Sequence, residues 1–114
     1  MTSKAAISPD DALARFREIC LALPETTETG SWGHPNFRVG KRTFAAFEWI
    51  KGRPSFAFNL GADEGAQLSL QGDLYFTTPY GRGQWTSMWV DGSIDWRMVE
   101  ELLERSYRKQ VTAR

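Results

Sequence analysis

The sequence predicts one α+β domain: an antiparallel sheet of about five strands with N- and C-terminal helices packed mainly on one face. Three observations lead there. Apolar residues recur at spacings of three and four near both ends of the chain, which is the helical period. Between those ends the apolar residues alternate, the strand period, in runs joined by short turn dipeptides such as Gly40-Lys41 and Lys51-Gly52. Those joints suit hairpins and are too short for the crossover helices that parallel strands require.

The first helix is predicted over residues 8–23. Ser8 can cap it, Pro9 suits the first helical position, and Asp11 sits three residues on, in a first turn that favours acids. Leu13, Phe16, Cys20 and Leu23, with Ile19 beside them, define its buried face, and Pro24 stops it. The following ETTETGSWGHPN is polar and rich in turn formers, so a loop without regular structure is expected. Three strands follow in FRV, RTFAAFEWI and PSFAFNL. Alternation in the second places Phe44 and Ala46 on one face and Ala45, Phe47 and Trp49 on the other; Phe56, Phe58 and Leu60 share a face in the third. A brief helix is expected over residues 62–70, a fourth strand over 74–77 and a fifth over 84–90, after the turn Pro79-Tyr80-Gly81-Arg82-Gly83. Asp95 can cap the last helix, on which Trp96, Val99, Leu103 and Tyr107 are spaced by three and four, with Leu102 adjacent. The whole of residues 1–114 is read as a single domain, with 1–7 and 111–114 expected to fray.

Composition narrows the function classes. Hydrophobic residues at 41% and charged residues at 25% are ordinary globular values, which argues against a disordered chain. Lone Cys20 has no internal disulfide partner and falls on an apolar helix face, so it reads as a small buried thiol in a reducing, cytoplasmic setting. No apolar run approaches the roughly 20 residues of a membrane span, and the N-terminus lacks a signal peptide's apolar core. Fourteen basic and fourteen acidic residues cancel, so the molecule as a whole exerts no long-range pull on nucleic acid. Locally, Arg38, Lys41, Arg42, Lys51 and Arg53 face only Glu48 across residues 38–53.

The residue inventory argues against the common catalytic kits. One Cys and one His cannot build a zinc site of N and S ligands, no phosphate-loop pattern is present, and no cofactor or metal is expected. His34, in Ser31-Trp32-Gly33-His34-Pro35, lacks any nucleophile or carboxylate whose proximity the sequence establishes, so a structural role outweighs a catalytic one. Five tryptophans cannot all be functional, and an indole has much area to hide, so most belong to packing.

Several pieces in a fixed order carry a family resemblance: LPETTE, then Gly33 to Ala45 (GHPNFRVGKRTFA), Thr78-Pro79-Tyr80, Gln84-Trp85-Thr86, and ELLERSYR over residues 101–108. Together they resemble the YjbR/MmcQ family of small bacterial proteins over nearly the whole length. The resemblance implies a CyaY-like topology, described as a double-wing DNA-binding motif, and hence a DNA-binding protein rather than an enzyme. The family's Gly-Trp before the last strand is Gln84-Trp85 here, so the contacts of that turn are this chain's own. For DNA, Arg38, Lys41, Arg42, Lys51 and Arg53 on adjacent strands and turns are the candidate phosphate-binding wing; the same cations can instead guard an exposed sheet against edge pairing. The alternative is a small-ligand or protein-interaction module using an aromatic pocket of Trp32, His34, Trp49, Tyr80 and Arg82. A deep cleft holding His34 would favour the pocket, and a continuous basic ridge the nucleic acid.

Overall fold

Helix α1 (Pro9–Ala22) begins where its cap requires. The Ser8 Oγ accepts the Asp11 amide at 3.1 Å, and Pro9 occupies the first turn, where its missing N–H is no loss. The computed structural model describes residues 7–30 and 33–112. Ala12, Phe16 and Cys20 form the buried stripe of α1. Phe16 is its centre, stacked on Phe56 with ring centroids 3.9 Å apart and edge-on to Phe37 at 5.6 Å and Phe58 at 6.2 Å. Burial also pushes the Cys20 thiol far above its ordinary range, which leaves it unreactive.

Residues 26–29, expected to lie in a loop, form a strand. This β1 (Thr26–Thr29) pairs antiparallel with β2 (Asn36–Val39), Thr26 opposite Val39 and Thr29 opposite Asn36. Its polar sequence has no strand signature; the ladder of β2 and two ties to α1 hold it. The Thr26 hydroxyl lies 2.9 and 2.8 Å from the Cys20 and Leu23 carbonyls at the end of α1, and Arg17 grips Glu28 through two bonds of 2.7 and 2.9 Å.

The sheet continues through β3 (Arg42–Ile50), β4 (Arg53–Asn59), β6 (Trp85–Trp89) and β5 (Tyr75–Thr77). Its spatial order is β1-β2-β3-β4-β6-β5, six strands with every neighbouring pair antiparallel. Hairpin chemistry matches the turns: Lys51 and Gly52 have φ of 53° and 78°, the left-handed pair of a type I′ turn.

Cross-strand partners share a face, so register assigns every side chain. Phe47 opposite Phe56 and Phe56 opposite Met88 mark the face that packs on the helices; Ala46 opposite Ala57, Glu48 opposite Ser55 and Ala57 opposite Ser87 mark the other. One expectation fails here. Phe44 does not share the face of Ala46, because pairing passes from Phe37–Ala45 to Arg38–Thr43 and leaves Phe44 as the extra residue of a bulge. Phe44 and Ala45 both join the core, where Phe44 meets Tyr107 edge-on at 5.6 Å.

The helices α2 (Ala62–Ser69) and α3 (Trp96–Thr112) complete the packed layer. Asp95 caps α3 as expected, its Oδ1 accepting the amides of Arg97 and Met98 at 3.1 and 3.4 Å. The ends are more ordered than composition suggests: Ile7 and Val111 both pack against the core, and α3 continues to Thr112. The rest of the predicted fraying falls outside the described residues. No helix among the described residues is long and apolar enough to cross a membrane.

Helix α2 approaches the sheet closely at Gly65, where an added Cβ would stand 2.1 Å from the Thr86 Oγ1. A helical Gly→Ala change ordinarily stabilises by up to about 1 kcal/mol. Here the sign reverses. Gly65→Ala should destabilise the protein by about 1–3 kcal/mol through overpacking, while Gly92→Ala, with nothing within 4 Å, should not, as read by urea denaturation of the two variants.

Candidate functional site

With the three helices on one face, the other face of the sheet is covered by turns rather than by a second layer. It carries small side chains, Ala46, Ser55, Ala57 and Ser87, and one carboxylate, Glu48, only 7% exposed. Alternation within β3 puts Glu48 there: Phe47 and Trp49 on either side of it point toward the helices, so Glu48 must point away. Two segments reach it. From the β5–β6 turn, the Tyr80 hydroxyl donates to Glu48 Oε1 at 2.5 Å, the length of a charge-assisted bond. From the segment before β2, His34 brings its Nε2 to 3.3 Å from Glu48 Oε2. Each carboxylate oxygen therefore faces one aromatic partner.

Each segment is also tied at its root, next to the strand it joins. Asn36 Nδ2 donates to the His34 carbonyl at 2.9 Å, and the Phe47 amide donates to the Pro35 carbonyl at 3.0 Å. The turn before β6 is tied by a hydroxyl contact of 2.7 Å between Thr78 and Ser87 and by the Thr78 amide on the Trp85 carbonyl. Gly81, Arg82 and Gly83 all lie at positive φ, 84°, 55° and 82°, so the backbone doubles back tightly. Gly81 is obligatory for a second reason, since a Cβ there would meet the Trp85 ring at 2.5 Å. Partial burial, then the bond to Glu48, raises the Tyr80 phenol well above its ordinary range.

Between these segments and the sheet lies a cavity of about 810 Å³. Its walls come from His34 of the segment before β2, Asn36 of β2, Lys41 of the β2–β3 turn, Arg42, Thr43 and Glu48 of β3, Asn59 of β4, Tyr80 of the β5–β6 turn, Trp85 of β6, and Gln110 of α3. The volume is within the range of about 300–1,000 Å³ typical of small-molecule sites. Its charge is divided, with Lys41 and Arg42 at one end and Glu48, held between His34 and Tyr80, in the floor.

The cations proposed as a wing separate into two groups. Arg38, Lys41 and Arg42 cluster at the β2–β3 hairpin, with Arg38 Nη2 donating to the Lys41 carbonyl at 3.0 Å. Lys51 and Arg53 lie at the far end of β3, about 30 Å away along an extended strand. Arg53 is also neutralised. It grips Asp91 at 2.6 and 3.2 Å, lies 3.9 Å over the Trp89 ring, and by its hydrogen bond holds the Asp91 carboxyl below its ordinary range. A continuous basic ridge is therefore not what the strands produce.

Of the aromatic-pocket residues, His34 and Tyr80 meet on Glu48 and line the cavity. Trp49 does not, because as the neighbour of Glu48 in a strand it faces the opposite way, and it is 57% exposed. Arg82 is exposed at the tip of the turn and lines no wall. Trp32 lies outside the described residues. Sequence reasoning missed Glu48 and Gln110, although both carried a signal: an acid alone within an apolar strand, and a polar residue seven positions after Leu103, on the buried stripe of α3.

Fold and site together define a class: a small α+β protein whose antiparallel sheet carries helices on one face and a polar cavity on the other. A model of the YjbR family matches residues 21–109, and the chain belongs to that family. Its fold is similar to that of a Pseudomonas syringae protein of known crystal structure, at 12% identity and a TM-score of 0.71, covering 84% of this chain and 96% of that one. A Deinococcus radiodurans protein with a DUF419 domain is similarly related, at 18% identity and a TM-score of 0.71, covering 94% of this chain and 80% of that one. No curated protein sequence matches the chain.

The Tyr80 environment has a measurable signature. The unfolded chain releases a tyrosine proton near pH ~10, whereas folded Tyr80 retains it, so the stability due to this group is complete below about pH 10 and is lost as pH rises above it. Burial also raises the Tyr75 phenol, so phenolate absorbance near 295 nm should show two tyrosines, Tyr75 and Tyr80, that ionise late in the wild type. Tyr80→Phe should remove one of the two late components and leave that of Tyr75, and loss of an ordinary component near pH ~10 instead would contradict the assignment.

Proposed function

We propose that this protein binds a small polar organic molecule in the cavity on the uncovered face of its sheet. The observation that carries this reading is the convergence of His34, Glu48 and Tyr80, from three segments distant in sequence, in one cavity of about 810 Å³ that Arg42 and Trp85 also line. A buried carboxylate needs compensation. A core that merely required packing would be served by an apolar residue at that position. We read the role as binding because the Tyr80 proton is engaged on Glu48.

The DNA-binding reading has one supporting feature, the trio Arg38, Lys41 and Arg42 at the β2–β3 hairpin. Three adjacent cations give a limited electrostatic footprint, and the acidic residues Glu100, Glu101 and Glu104 of α3 offer no recognition helix for a groove. DNA contact, if made, is therefore weak and insensitive to Lys51 and Arg53.

Both readings are separated by one set of measurements on the purified protein. Saturation-transfer NMR with a library of small polar aromatics should yield binders of the wild type that Thr43→Tyr, which fills the cavity from its wall, displaces while the fold persists. Anisotropy of a labelled duplex across a salt series should show a log–log slope no steeper than about −3. An absence of cavity binders, or a slope near −4 that Lys51→Gln and Arg53→Gln flatten, would reverse the assignment.

A further inference from the structure

We infer that the molecule held in this cavity carries a carboxylate or phosphate group, and that Arg42 is the residue that anchors it. This rests on the cavity reading above. The inference starts from how the arginines are partnered. Arg17, Arg53, Arg105 and Arg108 each face a carboxylate: Glu28 at 2.7 Å, Asp91 at 2.6 Å, Glu101 at 2.6 Å and Glu104 at 2.7 Å. Arg42 is held differently. Its Nε donates at 3.1 Å to the Oε1 of Gln110, a neutral amide from α3 that lies 68 positions away in sequence.

Gln110 is only 3% exposed, and its other polar atom is also engaged, Nε2 donating to the Asn59 carbonyl at 3.2 Å. Asn59 in turn donates from Nδ2 to the Thr43 carbonyl at 3.3 Å. A buried amide on this chain of bonds fixes the plane of the guanidinium without cancelling its charge. Among the described residues the two terminal nitrogens of Arg42 have no partner, and Arg42 lines the cavity. A guanidinium aligned through Nε and open at its fork is the geometry that receives a carboxylate or phosphate through two parallel bonds.

The surroundings agree in sign. Lys41 lines the same cavity, and Lys109 lies with Arg42 and Gln110 around an adjoining recess of about 320 Å³, although it is 3.7 Å from Glu64. The one acid of the main cavity, Glu48, already faces Tyr80 and His34 and lies in the floor rather than beside Arg42. Trp85, fixed by its close contact with Gly81, gives a flat apolar wall to both spaces. The class that fits is a planar or aromatic molecule with an anionic group, its ring along Trp85 and its anion on Arg42.

Isothermal titration calorimetry with 2-naphthoate, 2-naphthyl phosphate and the neutral 2-naphthamide tests this. The two anions should bind the wild type at least about tenfold more tightly than the amide, the discrimination expected of hydrogen bonds to a charged group. Arg42→Gln should reduce both anions to the level of the amide, Gln110→Leu should diminish the preference by loosening the guanidinium, and Lys51→Gln, at the other end of β3, should change nothing. The ratio of carboxylate to phosphate affinity identifies the preferred anion. If the amide binds as well as the anions, or Arg42→Gln leaves the preference intact, the anion seat is wrong and the cavity reading stands. If a correctly folded wild type binds none of the three, both fall.

Discussion

One ionisable group organises the face of the sheet that the helices leave uncovered. Glu48 is placed by strand alternation on that face in the middle of β3, is buried, and needs its charge answered by the protein. An uncompensated buried carboxylate would cost several kcal/mol, which exceeds what most single contacts return in a domain of marginal stability. The compensation comes from Tyr80 and His34, and those two side chains fix where their backbone segments can run. The turn after β5 and the segment before β2 are drawn over the sheet, and the cavity is the space that remains between them and the strands.

The opposite face follows a simpler rule. Phe16, Phe56 and Phe58, with Phe37 and Phe44, gather the three helices into one apolar layer, and Gly65 lets α2 come close to β6. Because that layer supplies the apolar burial, the second face is free to hold polar groups. The two faces are coupled at Gln110: its stripe on α3 is buried with Val99, Leu102 and Leu103, and its amide both accepts from Arg42 and lines the cavity. The cavity is thus braced by the same helix that closes the core.

Most of the fold was legible because it depends on local rules. Helix caps at Ser8 and Asp95, the stop at Pro24, the period-two runs and the hairpin dipeptides each act within a few residues, and each holds. Two features were not. Thr26–Thr29 has no apolar pattern of its own and becomes a strand through β2 and through the Arg17 and Thr26 ties to α1, contacts that no window of sequence contains. Phe44 changed faces because a bulge shifts the alternation by one, and a bulge is a property of the pair of strands rather than of either. In the site, His34 and Tyr80 were recognisable as polar aromatics in turn segments. Glu48 was hidden by being counted among charges instead of being placed on a face, and the wing cations failed to meet because β3 holds them at its two ends. The pairing of Arg42 with Gln110 is long-range and had no local trace.

The claim on which the account rests is that the bond from Tyr80 to Glu48 holds the β5–β6 turn down over the sheet. Amide hydrogen exchange over residues 78–84, compared between wild type and Tyr80→Phe, tests it most directly, since local opening is what such exchange reports. Loss of a hydrogen bond to a charged group should accelerate exchange there by about tenfold or more, with the amides of β3 and β4 unchanged. Unaltered protection of the turn in Tyr80→Phe would show that other contacts hold it and that the Glu48 carboxylate does not shape the cavity.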